Sequence, residues 1–399
     1  MREEPLPAGT VPAWWRRFTL ATVALGLFFA LMIQPHSRFG ANEPSSSSMG
    51  LGRETEVRLE LFLQRFSALV PGMEISIGPD ASELGPTGFS LLRYRVRSSK
   101  PELDESSALL LSQDEKSVFV GHAMVLPGEP VAVHSAASRE QLSRFFSQKA
   151  GGTMRIDWDS APGPGGAFPA RISVSTPFGE IESCGALSGD GRWFLFGAFF
   201  PLSRDPRQVR MERLVPQGRI GLGPASAKVT LMEIADFQCP NCAELQPLLE
   251  GLLSKYPGKI RLVRVDFPQW QVHDWGFEAA EWCRCAGRLA PAAFWPLSRI
   301  IYRRQGSITA ANLQDLLLPE IQALGLSRRA FDSCRLRGDA RSGVLQDLKR
   351  VASAGLSGTP IVLVNGALLE RDIEGQLEPT IAAALQERGP AAQPKKENK

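Results

Sequence analysis

Two cysteines, Cys239 and Cys242, stand three positions apart where an apolar run changes its period from strand to helix. Residues 228–236 read as a buried strand, after which Cys242, Leu245, Leu248, Leu249 and Leu252 recur at helical spacing. Pro240 fits the first turn of such a helix, where its missing N–H costs no hydrogen bond. A thiol at a helix N-terminus meets unpaired backbone N–H groups and the positive end of the helix dipole. These lower its pKa from about 8.5 toward roughly 3.5 to 7.5. Cys239 is therefore the expected nucleophile of a dithiol pair, and Cys242, one turn deeper, the expected resolving thiol. Half of a zinc site and a purely structural disulfide compete with this reading, but the strand-turn-helix setting favours redox chemistry. Zinc is disfavoured further because there is a single C-x-x-C and the four histidines, His36, His122, His134 and His273, are scattered. No metal and no organic cofactor is expected.

Glu233 lies inside Val229-Thr230-Leu231-Met232-Glu233-Ile234-Ala235, a strand apolar on both sides. A carboxyl buried there has a raised pKa and becomes a proton acceptor near neutrality. Glu233 escaping at the strand's edge is the competing reading. Asp236 is expected to cap or precede the cysteine turn. Downstream, 259–267 reads as a second strand and about 275–354 as helical. Thr359-Pro360 then opens a strand at 361–364, Asn365-Gly366 forms a hairpin turn, a return strand starts near Leu368, and a last helix spans 378–385. This α/β order is that of a thioredoxin fold with a helical insertion, placed at 228–387.

Glu233-Ile234-Ala235-Asp236-Phe237-Gln238-Cys239-Pro240-Asn241-Cys242, the segment 273–286 and Gly358-Thr359-Pro360-Ile361-Val362-Leu363-Val364-Asn365-Gly366 together resemble the DsbA-type branch of the thioredoxin superfamily. The resemblance implies nucleophilic Cys239, resolving Cys242, a buried glutamate at Glu233 and a cis-proline facing the cysteines at Pro360. It also implies substrate contacts at Thr359, Pro240 and Asn241, and a disulfide between Cys285 and Cys334. Asn241 stands where DsbA carries His, a departure from the strongly oxidising motif. Cys184 and Cys283 are left over, either as buried thiols or as a link between domains. The implied function is a thiol-disulfide oxidoreductase that exchanges disulfides with cysteine-containing extracytoplasmic proteins and is served by a membrane redox partner. A disulfide isomerase or reductase of the same fold, and a non-catalytic interaction scaffold, are the alternatives.

Upstream, 53–205 contains an internal likeness. Leu111-Ser112-Gln113-Asp114-Glu115-Lys116-Ser117-Val118-Phe119-Val120-Gly121 parallels Leu187-Ser188-Gly189-Asp190-Gly191-Arg192-Trp193-Phe194-Leu195-Phe196-Gly197 at an offset of 76 (187 − 111). Helical patterns precede both copies: Leu59, Phe62, Leu63, Phe66 and Leu69 in one, Leu142, Phe145 and Phe146 in the other, with Ser138 and Gln141 offering a capping box. Two small α+β modules, 53–133 and 136–205, are expected, and two unrelated hairpins with shared turn chemistry are the rival. The pattern also weakly resembles the N-terminal module of the DsbC and DsbG disulfide isomerases, in which such a module pairs with that of a second chain.

At the N-terminus, residues 18–33 form an apolar run preceded by Trp14, Trp15, Arg16 and Arg17. The run is slightly short of the roughly 20 residues of a spanning helix, although interfacial tryptophans extend it. It reads as an inner-membrane anchor, with 1–17 cytoplasmic and the rest facing the periplasm; a cleaved signal peptide of a soluble periplasmic protein is the alternative. The serine-rich stretch at 34–52 reads as a flexible linker and 388–399 as a disordered tail. With 45 basic and 42 acidic residues, the charge is too balanced for a nucleic-acid footprint.

Overall fold

The computed structural model describes residues 51–67, 73–79, 85–99, 102–150, 152–215, 220–369 and 373–387. The anchor at 18–33, the cytoplasmic segment, nearly all of the linker and the tail lie outside them. Among the described residues no helix is long and apolar enough to cross a membrane.

The first half places helix α1 (Arg53–Phe66) before strands β1 (Met73–Pro79), β2 (Phe89–Ser99), β3 (Glu102–Ser112) and β4 (Ser117–Val125). Helix α2 (Ala136–Ala150) then precedes β5 (Met154–Trp158), β6 (Phe168–Thr176), β7 (Gly179–Leu187) and β8 (Trp193–Pro201). The eight strands make one sheet in the order β1-β2-β3-β4-β8-β7-β6-β5, so the two halves meet through β4 and β8. Gly121 faces Gly197 at the centre of that pairing, again 76 residues apart (197 − 121). The turn before each central strand is built alike. Ser112 Oγ donates to Asp114 at 2.6 Å and accepts from Ser117 N, while Ser188 Oγ donates to Asp190 at 2.6 Å and accepts from Trp193 N.

One face of the sheet carries both helices. Leu59, Phe62, Leu63 and Phe66 of α1 pack on Leu92, Leu109, Leu111, Val118 and Phe200, and Leu142 and Phe146 of α2 pack on Ile156, Ile172, Phe194 and Phe196. Each large side chain so buried contributes roughly 1.5–3 kcal/mol. Helix α2 begins at Ala136, so Ser138 lies in its first turn rather than at its N-cap, the position that Ser135 takes. The capping-box expectation is corrected accordingly.

A short helix, α3 (Pro206–Leu214), joins the two domains, capped by Asp205, whose carboxylate accepts from Arg207 N. Arg210 on α3 is fully buried and donates to Phe66 O at 2.9 Å and Gly366 O at 2.6 Å, with its guanidinium 4.0 Å from the Phe66 ring centre. It therefore ties α1, α3 and the last hairpin of the chain together.

The C-terminal domain runs β9 (Gly221–Leu222), β10 (Val229–Ala235), α4 (Pro240–Lys255) and β11 (Ile260–Asp266). Helices α5 (Gly276–Leu289), α6 (Phe294–Arg304), α7 (Leu313–Ala323), α8 (Arg328–Arg337) and α9 (Asp339–Ser353) follow, then β12 (Ile361–Val364), β13 (Ala367–Leu369) and α10 (Ile373–Gln386). Its sheet has the order β13-β12-β10-β11-β9, with β10 parallel to β11 and antiparallel to β12. Six of the seven β10 residues are buried, as expected for a central strand covered on both faces. Asn365 and Gly366 take positive φ in the β12–β13 turn, and Asn365 Oδ1 accepts from Thr230 N at 2.7 Å, which fixes the hairpin to β10. Helix α10 starts five residues before the expected position because Leu377 belongs to its buried face along with Ile381 and Ala384.

Candidate active site

Cys239 is the N-cap residue of α4, with Pro240 in the first turn. Its backbone is extended (φ −74°, ψ 119°), so the thiol sits at the open end of the helix, 3.6 Å from Thr359 O. The Thr359-Pro360 peptide is cis and leads into β12, the strand beside β10, so β-sheet pairing brings residues 120 positions apart to one point. Cys242 is fully buried on the inner face of α4. Pro240 and Asn241 are exposed, and Asn241 lines a groove with Leu245, Leu248, Thr359, Pro360 and Ile361.

The two thiols are driven apart in acidity. A hydrogen bond from Cys242 lowers Cys239 to about 6; burial opposes this, and Thr359 and the helix backbone add to it. Burial pushes Cys242 well up, and the charge of Cys239 adds to the shift. The outer sulfur is thus a thiolate near neutrality, while the inner one remains protonated until something takes its proton.

Glu233 is fully buried on β10, and burial raises it to about 6, with Arg264 pulling the other way. Arg264 on β11 was not foreseen from the sequence. Its Nη1 lies 3.5 Å from Glu233 Oε2 and its Nε 3.4 Å from Asp266, while its guanidinium stacks 4.0 Å from the centre of Phe237 and bonds to the Tyr302 hydroxyl. Asp266 in turn pairs with Arg284, and Arg284 with Asp347. Glu233 therefore ends a buried chain of alternating charges.

The turn into α4 is held by side chains from the following loops. Asp236 accepts from Gln238 N (2.9 Å) and Gln269 N (2.8 Å), and lies 2.5 Å from His273 Nδ1. Gln305 donates to Phe237 O and Cys239 O at 2.8 and 3.0 Å, and Gln269 Nε2 donates to Thr359 Oγ1 at 2.5 Å. The polar side chains after β11 carried no periodic signal that marks such contacts, although Asp236 before the C-x-x-C does mark a turn.

Cys285 and Cys334 form a disulfide that joins α5 to α8. Cys283 is a buried free thiol on α5. Cys184 is a half-buried free thiol on β7, in the crevice between the domains, and links to no other cysteine.

Residues 216–380 match the family described as Thioredoxin. The strand order, the cysteine-headed helix and the cis-proline loop of the C-terminal domain agree with that match. Among solved structures, the chain is similar to the thiol-disulfide exchange protein alpha-DsbA2 from Wolbachia pipientis, with 14% identity, 44% of this chain and 95% of that one covered, and a TM-score of 0.38. It is similar also to oxidised BdbD from Bacillus subtilis (19%, 43% and 95%, TM-score 0.37) and to the catalytic domain of Proteus mirabilis ScsC (18%, 46% and 98%, TM-score 0.38). Among curated proteins, it is 33% identical over 144 residues to Na(+)/H(+) antiporter NhaA 1 of Salinispora arenicola, covering 36% of this chain and 21% of that protein. The NhaA antiporter of Herminiimonas arsenicoxydans is 26% identical over 164 residues, with 41% and 24% covered. The match thus spans about a fifth of the length of the first of these relatives.

Proposed function

We propose that the chain exchanges disulfides with cysteines of extracytoplasmic polypeptides through Cys239 and Cys242. The observation that carries this reading is the Cys239 thiol, held at about 6 between the open end of α4 and the cis-proline loop. In the reducing direction, the Cys239 thiolate attacks one sulfur of a substrate disulfide and the other sulfur leaves as a thiolate. Cys242 then gives its proton to Glu233 and attacks Cys239, which releases the second substrate sulfur and leaves Cys239–Cys242 oxidised. The oxidising direction is the reverse, with the electrons passing from substrate to the pair. The groove beside Asn241, Thr359 and Pro360 receives the substrate backbone.

The Cys285–Cys334 disulfide supports an oxidising compartment, and the arginine-flanked run at 18–33 supports an inner-membrane anchor and a redox partner in the membrane. The front domain completes one sheet within a single chain. Its two halves meet the need that a second chain would otherwise fill, which favours an oxidase or reductase over a two-site isomerase. The test is a trap: full-length Cys242→Ser incubated with a disulfide-bonded peptide accumulates a mixed disulfide at Cys239, and Cys239→Ser forms none. Equal exchange by wild type and Cys239→Ser overturns the proposal.

A further inference from the structure

The dipeptide between the cysteines, Pro240-Asn241, carries no charge, yet a carboxylate lies at the foot of the redox helix. Asp236 is almost fully buried; its carbonyl accepts from Cys239 N at 3.2 Å, and its negative charge raises the Cys239 thiol. Two backbone N–H groups, of Gln238 and Gln269, bond to it, but they carry no net charge. Among the described residues, the ionisable side chain bonded to its carboxylate is His273, from the loop after β11.

We infer that His273 is a positioning residue for the exchange reaction: as the cation bonded to Asp236, it neutralises this carboxylate at the foot of the redox helix and so favours the Cys239 thiolate. It thereby does, from a distant loop, what a basic residue between the cysteines would do directly. The inference rests on the exchange reading above.

The groups that face His273 agree with this. They are Asp236 at the end of β10, Cys239 at the start of α4, and Asp274 in its own loop, all acidic. Burial pulls the imidazole down, but the hydrogen bond and charge of Asp236, with Cys239 and Asp274 beyond it, outweigh burial and raise it above its ordinary value. Asp274 is itself held by Gln238 Nε2 at 3.0 Å, so the loop is anchored to the same turn.

The test is His273→Gln in the full-length reduced protein. Glutamine keeps a donor for Asp236 and loses the charge. The readout is thiolate absorbance near 240 nm against pH, which reports the ionisation of Cys239 whether or not a substrate is turned over. The expected result is a Cys239 pKa raised by about one unit, with thermal unfolding close to wild type, and recovery toward the wild-type value in His273→Lys. Should glutamine disturb the turn, the unfolding scan shows it, and the lysine variant alone then decides: a Cys239 pKa at or below the wild-type value supports the inference. An unchanged Cys239 pKa in a folded His273→Gln variant overturns it. Failure of the exchange reading is seen separately, as Cys239→Ser activity in the trap.

Discussion

Replacing Glu233 with Gln keeps the shape of the side chain and removes its charge. Burial raises the Glu233 carboxyl from 4.5 to about 6, against the opposing pull of Arg264. The unfolded chain gives up this proton near 4.5, whereas the folded chain holds it to about 6. The associated stability is therefore fully present below pH 4.5 and lost as the pH rises through 6. A shift of this size is worth about 2 kcal/mol. Urea unfolding of reduced wild type and Glu233→Gln across this range should show the variant gaining about 2 kcal/mol on the wild type as pH rises from below 4.5 to about 7. The same substitution removes the acceptor for the Cys242 proton. Decay of the mixed disulfide, followed after rapid mixing with a labelled peptide disulfide, should slow by about a hundredfold, while the initial attack by Cys239 keeps its rate. A stability difference independent of pH, or an unchanged decay rate, refutes the assignment of Glu233 as a buried proton acceptor.

Three further outcomes follow from the packing. Cys285→Ala with Cys334→Ala opens a loop of 49 residues and should cost about 4 kcal/mol in chemical denaturation by loop entropy; a loss below about 1 kcal/mol would contradict a stabilising bridge. Arg210→Met removes the buried donors to Phe66 O and Gly366 O and should cost about 3 kcal/mol, with limited proteolysis now cutting near 206–214; an unchanged digestion pattern would show that the domains do not depend on it. Gly121→Ala and Gly197→Ala each drive a new Cβ to within 2.2 and 2.3 Å of a carbonyl oxygen on the opposite strand. They should destabilise the protein by similar amounts, at least about 2 kcal/mol each in thermal or urea unfolding. Strongly unequal losses would argue against equivalent halves.

The parts of the fold visible in the sequence are those with short-range signatures. Strand β10 shows as a continuous apolar run because both of its faces are covered, the C-x-x-C stands at its junction with a helix, and the Asn365-Gly366 pair marks the β12–β13 hairpin. The offset of 76 is visible because both central turns need the same Ser-x-Asp bonds. Helix α3 escaped notice because Arg207, Arg210, Glu212 and Arg213 make it read as polar surface, although Asp205-Pro206 is a helix-start signature. Arg264 escaped because its burial depends on partners far along the chain: Glu233 and Phe237 before it, and Tyr302 after it. Charge in a strand reads as exposure unless the groups that neutralise it are known. His273 was seen as one scattered histidine, since only the folded chain brings it to Asp236.

Equilibrating the full-length protein in a series of glutathione buffers, quenching with acid and counting alkylated thiols by mass tests the central claim most directly. The account predicts one two-electron transition confined to Cys239 and Cys242, at a potential between about −120 and −270 mV, with Cys285 and Cys334 bonded throughout and Cys184 and Cys283 reduced throughout. A Cys239–Cys242 pair that stays reduced, or stays oxidised, across the whole series contradicts it.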